Sequence, residues 1–167
     1  MRIEPVKIEI RPYQDGDTNG IRDLILPIQN DEFSLPITFE EQPDLAAIPE
    51  YYQTGRGDFW VAIADEQVMG TISLVELAED NSALRKMFVA ADYRGSVHGV
   101  ANKLLTTLID HARAEDLKRI CLGTTDAFKA AHRFYEKHGF DRIEPADLPT
   151  DFSYMKVDTR FYVLALG

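Results

Sequence analysis

The segment Ala83–Ala112, ALRKMFVAADYRGSVHGVANKLLTTLIDHA, decides how the rest of the chain is read. Leu84, Met87, Phe88 and Val89 form a short apolar run of strand-forming residues. A basic turn follows, containing Arg94, Gly95, Ser96, Val97, His98 and Gly99. Beyond it Val100, Ala101, Leu104, Leu105, Leu108, Ile109 and Ala112 recur at helical spacing, which predicts one apolar stripe. A helix start presents unpaired backbone N–H groups and the positive end of the helix dipole. Two glycines let that backbone come close to a ligand, and Arg94 adds a full positive charge. The segment therefore reads as an anion site, suited to a phosphate or pyrophosphate. It lacks the Gly-Lys-Ser/Thr ending of a Walker A loop and is not G-x-G-x-x-G. Similar strand–turn–helix units also serve as plain scaffolding, so the segment alone leaves both readings open.

With 167 residues the chain suits a single domain over 1–167. Its one cysteine, Cys121, has no internal partner for a disulfide. No apolar run approaches the roughly 18 residues of a membrane span, and MRIEPVKIEIRPY carries charges where a signal peptide needs an apolar centre. The expectation is a cytoplasmic protein that binds no membrane. A net charge of −10 argues against general nucleic-acid binding. The charge is unevenly placed: residues 1–80 hold 17 acids against 5 bases, and residues 81–167 hold 11 acids against 13 bases. The basic half contains the suspected phosphate turn, which fits an anionic cofactor there and a cationic substrate nearer the other half.

Elsewhere, Lys7–Pro12 alternates as a first strand, and Asp15-Gly16-Asp17 offers caps for a helix lined by Ile21, Leu24, Ile25 and Ile28. Asn30–Pro43, with acids, aromatics and two prolines, predicts a surface loop. A short helix from Asp44 should face Leu45, Ile48, Tyr51 and Tyr52 inward. Phe59–Ala64 and Val68–Glu76 form a hairpin, and Glu79-Asp80-Asn81 turns into the opening segment. A strand over Arg119–Gly123 comes next. A helix over Asp126–His138 should place Phe128, Ala131, Phe134 and Tyr135 on one side, with Gly139 ending it. Phe140–Ile143 and Thr159–Leu166 complete a mixed α/β domain, a mostly antiparallel central sheet with flanking helices.

These separated pieces, in this order, resemble the GNAT superfamily of N-acetyltransferases across nearly the whole chain. The resemblance rests on Ile10-Arg11-Pro12 before an acid-capped helix, and on Trp60-Val61-Ala62 through Val68-Met69-Gly70. Lys86-Met87-Phe88-Val89, Tyr93-Arg94-Gly95 and Leu104-Leu105 follow, and then Phe134-Tyr135-Glu136-Lys137-His138-Gly139-Phe140. It implies the acyl-CoA N-acyltransferase (GNAT) fold and acetyl-CoA-dependent acetylation of a primary amine on a small molecule or peptide. It also implies that the strand bearing Met87, Phe88 and Val89 pairs with the pantetheine arm. The turn from Arg94 through Gly95, Ser96, Val97, His98 and Gly99 into Val100 and Ala101 would hold the pyrophosphate. Phe128 joins this cofactor-contacting set, and Lys129 and Arg133 are candidates for the nucleotide phosphate. The turn departs from the family pattern, because Arg94 lies five residues before Gly99 rather than three. Anchoring on Gly99-Val100-Ala101 places the usual Gln/Arg position on Ser96, whereas anchoring on Arg94-Gly95 requires two inserted residues.

The resemblance makes Tyr135 the acid that protonates the departing CoA sulfur, and a phenol of pKa near ~10 suits a thiolate of similar basicity. A backbone N–H of the Phe88–Val89 segment would hold the oxyanion. The strand glutamate of many relatives is replaced by Ala83, which leaves Glu76, Glu79, Asp126 or an ordered water as general base. The acceptor site is expected from the first helix, the Asn30–Pro43 loop and the second helix. There Asp31, Glu32, Phe33, Phe39 and Glu40 suit a cationic amine, with Glu32 and Phe33 the favoured contacts. Cys121 reads as a core residue, and the histidines show no metal-ligand spacing. A homodimer is allowed for. The competing readings are a catalytically weak or inactive acyl-CoA-binding module and, against the acidic balance, an enzyme acting on tRNA-borne amines.

Overall fold

Two tight turns shape the antiparallel half of the molecule. Asp65 and Glu66 have left-handed backbones (φ 50° and 64°), as do Glu79 and Asp80 (60° and 61°), the conformation that two-residue hairpin turns demand. They connect β2 (Asp58–Ala64), β3 (Gln67–Glu76) and β4 (Asn81–Val89), and β1 (Glu9–Pro12) pairs antiparallel outside β2. The computed structural model describes residues 7–95, 97–155 and 157–167. From β4 the chain crosses through α4 (Val100–Ala114) to β5 (Arg119–Thr124), which runs parallel to β4. α5 (Lys129–Lys137) then leads to β6 (Asp141–Ile143), and β7 (Arg160–Ala165) inserts between β5 and β6, antiparallel to both. The result is a seven-stranded mixed sheet in the order β1-β2-β3-β4-β5-β7-β6.

Alternation along each strand divides the core by face. Trp60, Ala62, Ile72, Leu74, Leu84, Ile120 and Leu122 pack with the apolar stripe of α4 and with Tyr135 of α5. On the other face Phe59 and Val61 pack with Ile21 and Ile25 of α1 (Thr18–Pro27), Leu45 of α2 (Pro43–Ala46) and Ile48 of α3 (Ile48–Tyr51). Ala83, Cys121 and Phe161 continue this second face beneath Leu148 and Phe152 of the β6–β7 connection.

Several expectations change at element ends. Asp17 precedes α1 but makes no side-chain cap; Arg11 takes its carboxylate at 2.8 and 3.0 Å. The helix expected from Asp44 is broken into α2 and α3, and Tyr51 is 52% exposed while Tyr52 is buried. α5 begins at Lys129, and its buried residues are His132 and Tyr135, with Phe128, Ala131 and Phe134 only half-buried. His132 turns inward because Nε2 pairs with the Thr125 carbonyl at 2.9 Å. The 30–43 connection is pinned by a buried amide pair: Gln29 Nε2 donates to Gln42 Oε1 at 3.0 Å, and Gln42 Nε2 donates to Gln29 Oε1 at 2.9 Å.

Candidate active site

The site grows from an irregularity in β4. Between the pairs Thr71–Phe88 and Ser73–Arg85, residue Ile72 faces two residues of β4, and Lys86 there has φ 53°. This is a β-bulge, which bends a strand and re-aims a side chain. Thr71 Oγ1 and Ser73 Oγ donate to the carbonyls of Lys86 and Arg85 at 2.6 and 2.8 Å, so side chains support the distorted segment. Arg85 and Lys86 consequently project to the same face, where simple alternation would separate them. Arg85 stacks over Phe152 at 5.2 Å and donates to the Ser153 carbonyl. Lys86 Nζ donates to Gln42 Oε1 at 2.6 Å and lies 3.6 Å from Asp44. Burial holds the Lys86 ammonium below its ordinary pKa, against the opposing pull of Asp44.

The bend also parts the sheet. β4 and β5 pair only through Asn81–Arg119, Ser82–Ile120 and Ala83–Cys121. Beyond Ala83 the edge of β4 from Leu84 to Val89, including Met87, Phe88 and Val89, has no strand on that side among the described residues. The two strands form a wedge that opens toward their C-terminal ends.

At the mouth of the wedge the long turn leads into α4. Gly95 and Gly99 are left-handed (φ 89° and 63°), a conformation that favours glycine, and a Cβ at either would meet open space. Lys103 N–H bonds to the Gly99 carbonyl at 2.9 Å, so the N–H groups of Val100, Ala101 and Asn102 precede the first bond of the helix. This supports the register anchored on Gly99-Val100-Ala101. Ser96, the position it assigns to the usual Gln/Arg, lies outside the described residues. Val97 is exposed, and His98 packs against Tyr93 at 4.9 Å between ring centres.

The expected acceptor and cofactor residues touch one another across the wedge. Arg94 Nε donates to the Val89 carbonyl at 2.8 Å, and both terminal nitrogens of its guanidinium engage Glu32. Beside Glu32, Phe33 meets Phe128 edge to face at 4.5 Å. Glu32 and Phe33 close a π-type turn after α1 (Ile28–Glu32, with Phe33 N–H on the Ile28 carbonyl at 3.1 Å). This segment bridges the exit of β4 to the exit of β5. In this conformation Arg94 faces a carboxylate and not the turn backbone.

Tyr135 sits on the α4 face, packed against Phe140 and Tyr162 and 4% exposed. Burial alone raises its phenol pKa, so at neutral pH it is a proton donor. Two of the carboxylates considered as bases stand at the far end of β4, and the third follows the end of β5. Glu76 and Glu79 stand at the β3–β4 turn, the opposite end of β4, and Glu76 is bound by Arg56. Asp126 is 71% exposed and 3.9 Å from Arg160. Cys121 is buried, which pushes its thiol up to about 11, and no metal-ligating cluster exists among the described residues.

The profile of the Acetyltransferase (GNAT) family matches residues 23–140. The chain belongs to the GNAT acetyltransferase family. A GNAT-family acetyltransferase from Staphylococcus aureus Mu50 has a crystal structure that superposes with a TM-score of 0.92 at 38% identity, covering 96% of this chain and all of that one. N-acetylglutamate synthase from Neisseria gonorrhoeae, complexed with coenzyme A and N-acetyl-glutamate, shares the fold with a TM-score of 0.73 at 20% identity; the match covers 98% of this chain and 36% of that one. N-acetylaspartate synthetase of Danio rerio is 37% identical over 102 residues, 60% of this chain and 36% of the relative. The chain thus spans about a third of the length of the curated synthetases it matches. Beside the wedge a polar group also gathers, formed by Gln42, Asp44, Tyr52, Arg85, Lys86 and Asp158. The signal for that group was a lysine in the apolar run of β4, whose direction only the bulge determines.

Proposed function

We propose that this protein transfers the acetyl group of acetyl-CoA to the primary amine of a small-molecule acceptor by direct attack on the thioester. The observation that carries the reading is the wedge itself: among the described residues the β4 edge beyond Ala83 pairs with no strand on the β5 side, and it leads to three N–H groups that precede the first helical bond of α4. An extended amide-bearing arm suits the edge, and a pyrophosphate suits the helix start. Met87, Phe88 and Val89 would line the arm. Gly95, Val97, His98, Gly99, Val100 and Ala101 would surround the phosphates, and Phe128 would flank the arm from the β5 side. A β4 N–H would hold the developing oxyanion, and Tyr135 would protonate the thiolate from the α4 face.

The acceptor enters from the opposite face, where Arg85 and Lys86 stand together. Two cations there suit an amine that also carries a carboxylate, which agrees with the aspartate named for the synthetase relatives. The cationic acceptor suggested by Asp31 and Glu32 is weakened, because Arg94 neutralises Glu32. The engaged Arg94 also favours a second reading, an acyl-CoA binder without transfer. Release of CoA thiol from acetyl-CoA is the test, across amines that include acidic amino acids, polyamines and peptides. Release with acidic amino acids supports the proposal. Stabilisation by acetyl-CoA with no release from any amine supports the second reading.

A further inference from the structure

We infer that Asp158 is the general base of this site, taking the proton of the acceptor ammonium before the amine attacks. The inference rests on the transfer reading above and supplies the group that reading lacks. Asp158 lies in the connection before β7, where its Oδ2 accepts the Met155 N–H at 3.0 Å and its own N–H donates to the Met155 carbonyl at 3.0 Å. The neighbouring Thr159 N–H bonds to the Thr124 carbonyl at 2.9 Å, which docks the loop on the end of β5. The carboxylate covers Gly123 so closely that a Cβ there would stand 2.7 Å from Oδ2. Gly123 is two residues beyond the last β4–β5 pair, so Asp158 stands over β5 where the wedge has opened.

Its face is equally informative. A Cβ on Gly123 would point toward Phe161, on the side of Ala83 and Cys121, whereas Tyr135 packs with Ile120 and Leu122 on the other side. Asp158 and Tyr135 therefore flank the wedge from opposite faces of the sheet. Arg85 and Lys86 of β4 lie near enough to act on the charge of Asp158, and the Gly123 backbone of β5 lies directly beneath it. Burial raises its pKa against the pull of the Met155 N–H, Arg85 and Lys86, which brings its basicity nearer to that of an amine. The proton count closes. One ammonium proton passes to Asp158, the neutral amine bonds to the acetyl carbon, and the C–S bond breaks. Once Asp158 has released that proton to solvent, it takes the remaining extra proton from nitrogen as the thiolate takes the Tyr135 proton; Tyr135 then regains a proton by way of solvent, so one proton is released per turnover. Glycine at 123 is what leaves room for the carboxylate.

The test is steady-state release of CoA thiol by wild type, Asp158→Asn and Gly123→Ala, alongside thermal shifts with acetyl-CoA. Asparagine keeps an oxygen for the Met155 N–H. The expected result for Asp158→Asn is a fall in kcat of at least about 100-fold at pH 7. The acetyl-CoA shift should be unchanged, and the deficit should narrow toward pH 9–10 as amines lose their proton unaided, since an α-amine has a pKa of ~8 and a lysine-type amine ~10.4. Gly123→Ala should show a smaller loss with the same pH signature. A rise in KM with kcat intact, or rates within about threefold of wild type for both variants, overturns the role of Asp158 alone. Wild type that binds acetyl-CoA yet releases no thiol with any amine overturns the transfer reading and Asp158 with it.

Discussion

Glu32 and Arg94, 62 residues apart, grip one another in a two-pronged ion pair at the exit of β4. Arg94 can serve a phosphate only by giving up Glu32, so Glu32→Gln should tighten acetyl-CoA binding. Both side chains are more than a third exposed, and solvent screening limits the gain to about 1 kcal/mol or up to about fivefold in Kd. Titration calorimetry at low salt checks this, and the difference should shrink in 1 M salt, where the Debye length is about 3 Å. The hydrogen bond from Arg94 holds the Glu32 carboxyl below its ordinary pKa. A depressed carboxylate adds stability above its unfolded pKa and loses it as pH falls through the folded value. Wild type and variant should therefore converge in acid, once the pH falls below the folded pKa, which lies under the ordinary glutamate value of ~4.3.

Tyr135→Phe removes one oxygen from a side chain packed among Phe134, Phe140 and Tyr162. The fold and the acetyl-CoA thermal shift should persist. Turnover should fall about 100-fold or more if the phenol protonates the thiolate. Unchanged thiol release would remove Tyr135 from the mechanism.

Arg85→Gln should separate binding of the acceptor from binding of the acyl donor. The guanidinium stacks on Phe152 and bonds to the Ser153 carbonyl, and no carboxylate among the described residues pairs with it. KM for an acidic amino acid should rise about tenfold or more, in keeping with the roughly 1.5–3 kcal/mol of a charged hydrogen bond, while KM for acetyl-CoA stays within twofold. A greater loss with neutral amines than with acidic ones would argue against a carboxylate-bearing acceptor.

Gly70→Ala tests the contact between the hairpin and the turn-first helix. A Cβ at 70 would stand 2.9 Å from Leu104 Cδ1, 3.1 Å from Val100 Cγ1 and 3.3 Å from the Phe88 carbonyl. Overpacking of this kind costs about 1–3 kcal/mol, and for a chain of this size each kcal/mol lowers Tm by about 2–4 °C. Because Val100 opens α4, acetyl-CoA binding should weaken as well, which calorimetry on the folded variant would show.

The elements of the sheet were legible because hydrophobic period is a local property. Phe59–Ala64, Val68–Glu76 and the stripe from Val100 to Ala112 all lie where their patterns placed them. The insertion of β7 between β5 and β6 was not legible, since strand order depends on pairing between distant segments. The site divides in the same way. The register of α4 followed from Gly99 and its distance to Leu104. Lys86 was read only as part of an apolar strand, because a left-handed residue inside a strand leaves no mark in a pattern of period 2. Gln42, inside the expected Asn30–Pro43 loop, is a buried partner of Gln29. Asp158 passed unnoticed in an acidic connection because its meaning comes from Gly123, 35 positions earlier in the chain.

Three residue pairs join the two halves of the sheet, which makes them resemble the covers of a book with a short spine. From Ala83 to Val89 the free cover extends about 20 Å at 3.3 Å per residue, so one degree of rotation at the spine moves its outer edge by about 0.35 Å. Effort applied at the outer edge has the longest lever. The Glu32–Arg94 and Phe33–Phe128 contacts sit at that edge, where they work as a clasp. Amide exchange should accordingly be slowest along Ser82–Ala83 and Ile120–Cys121 and quicken toward Val89, a gradient set by leverage.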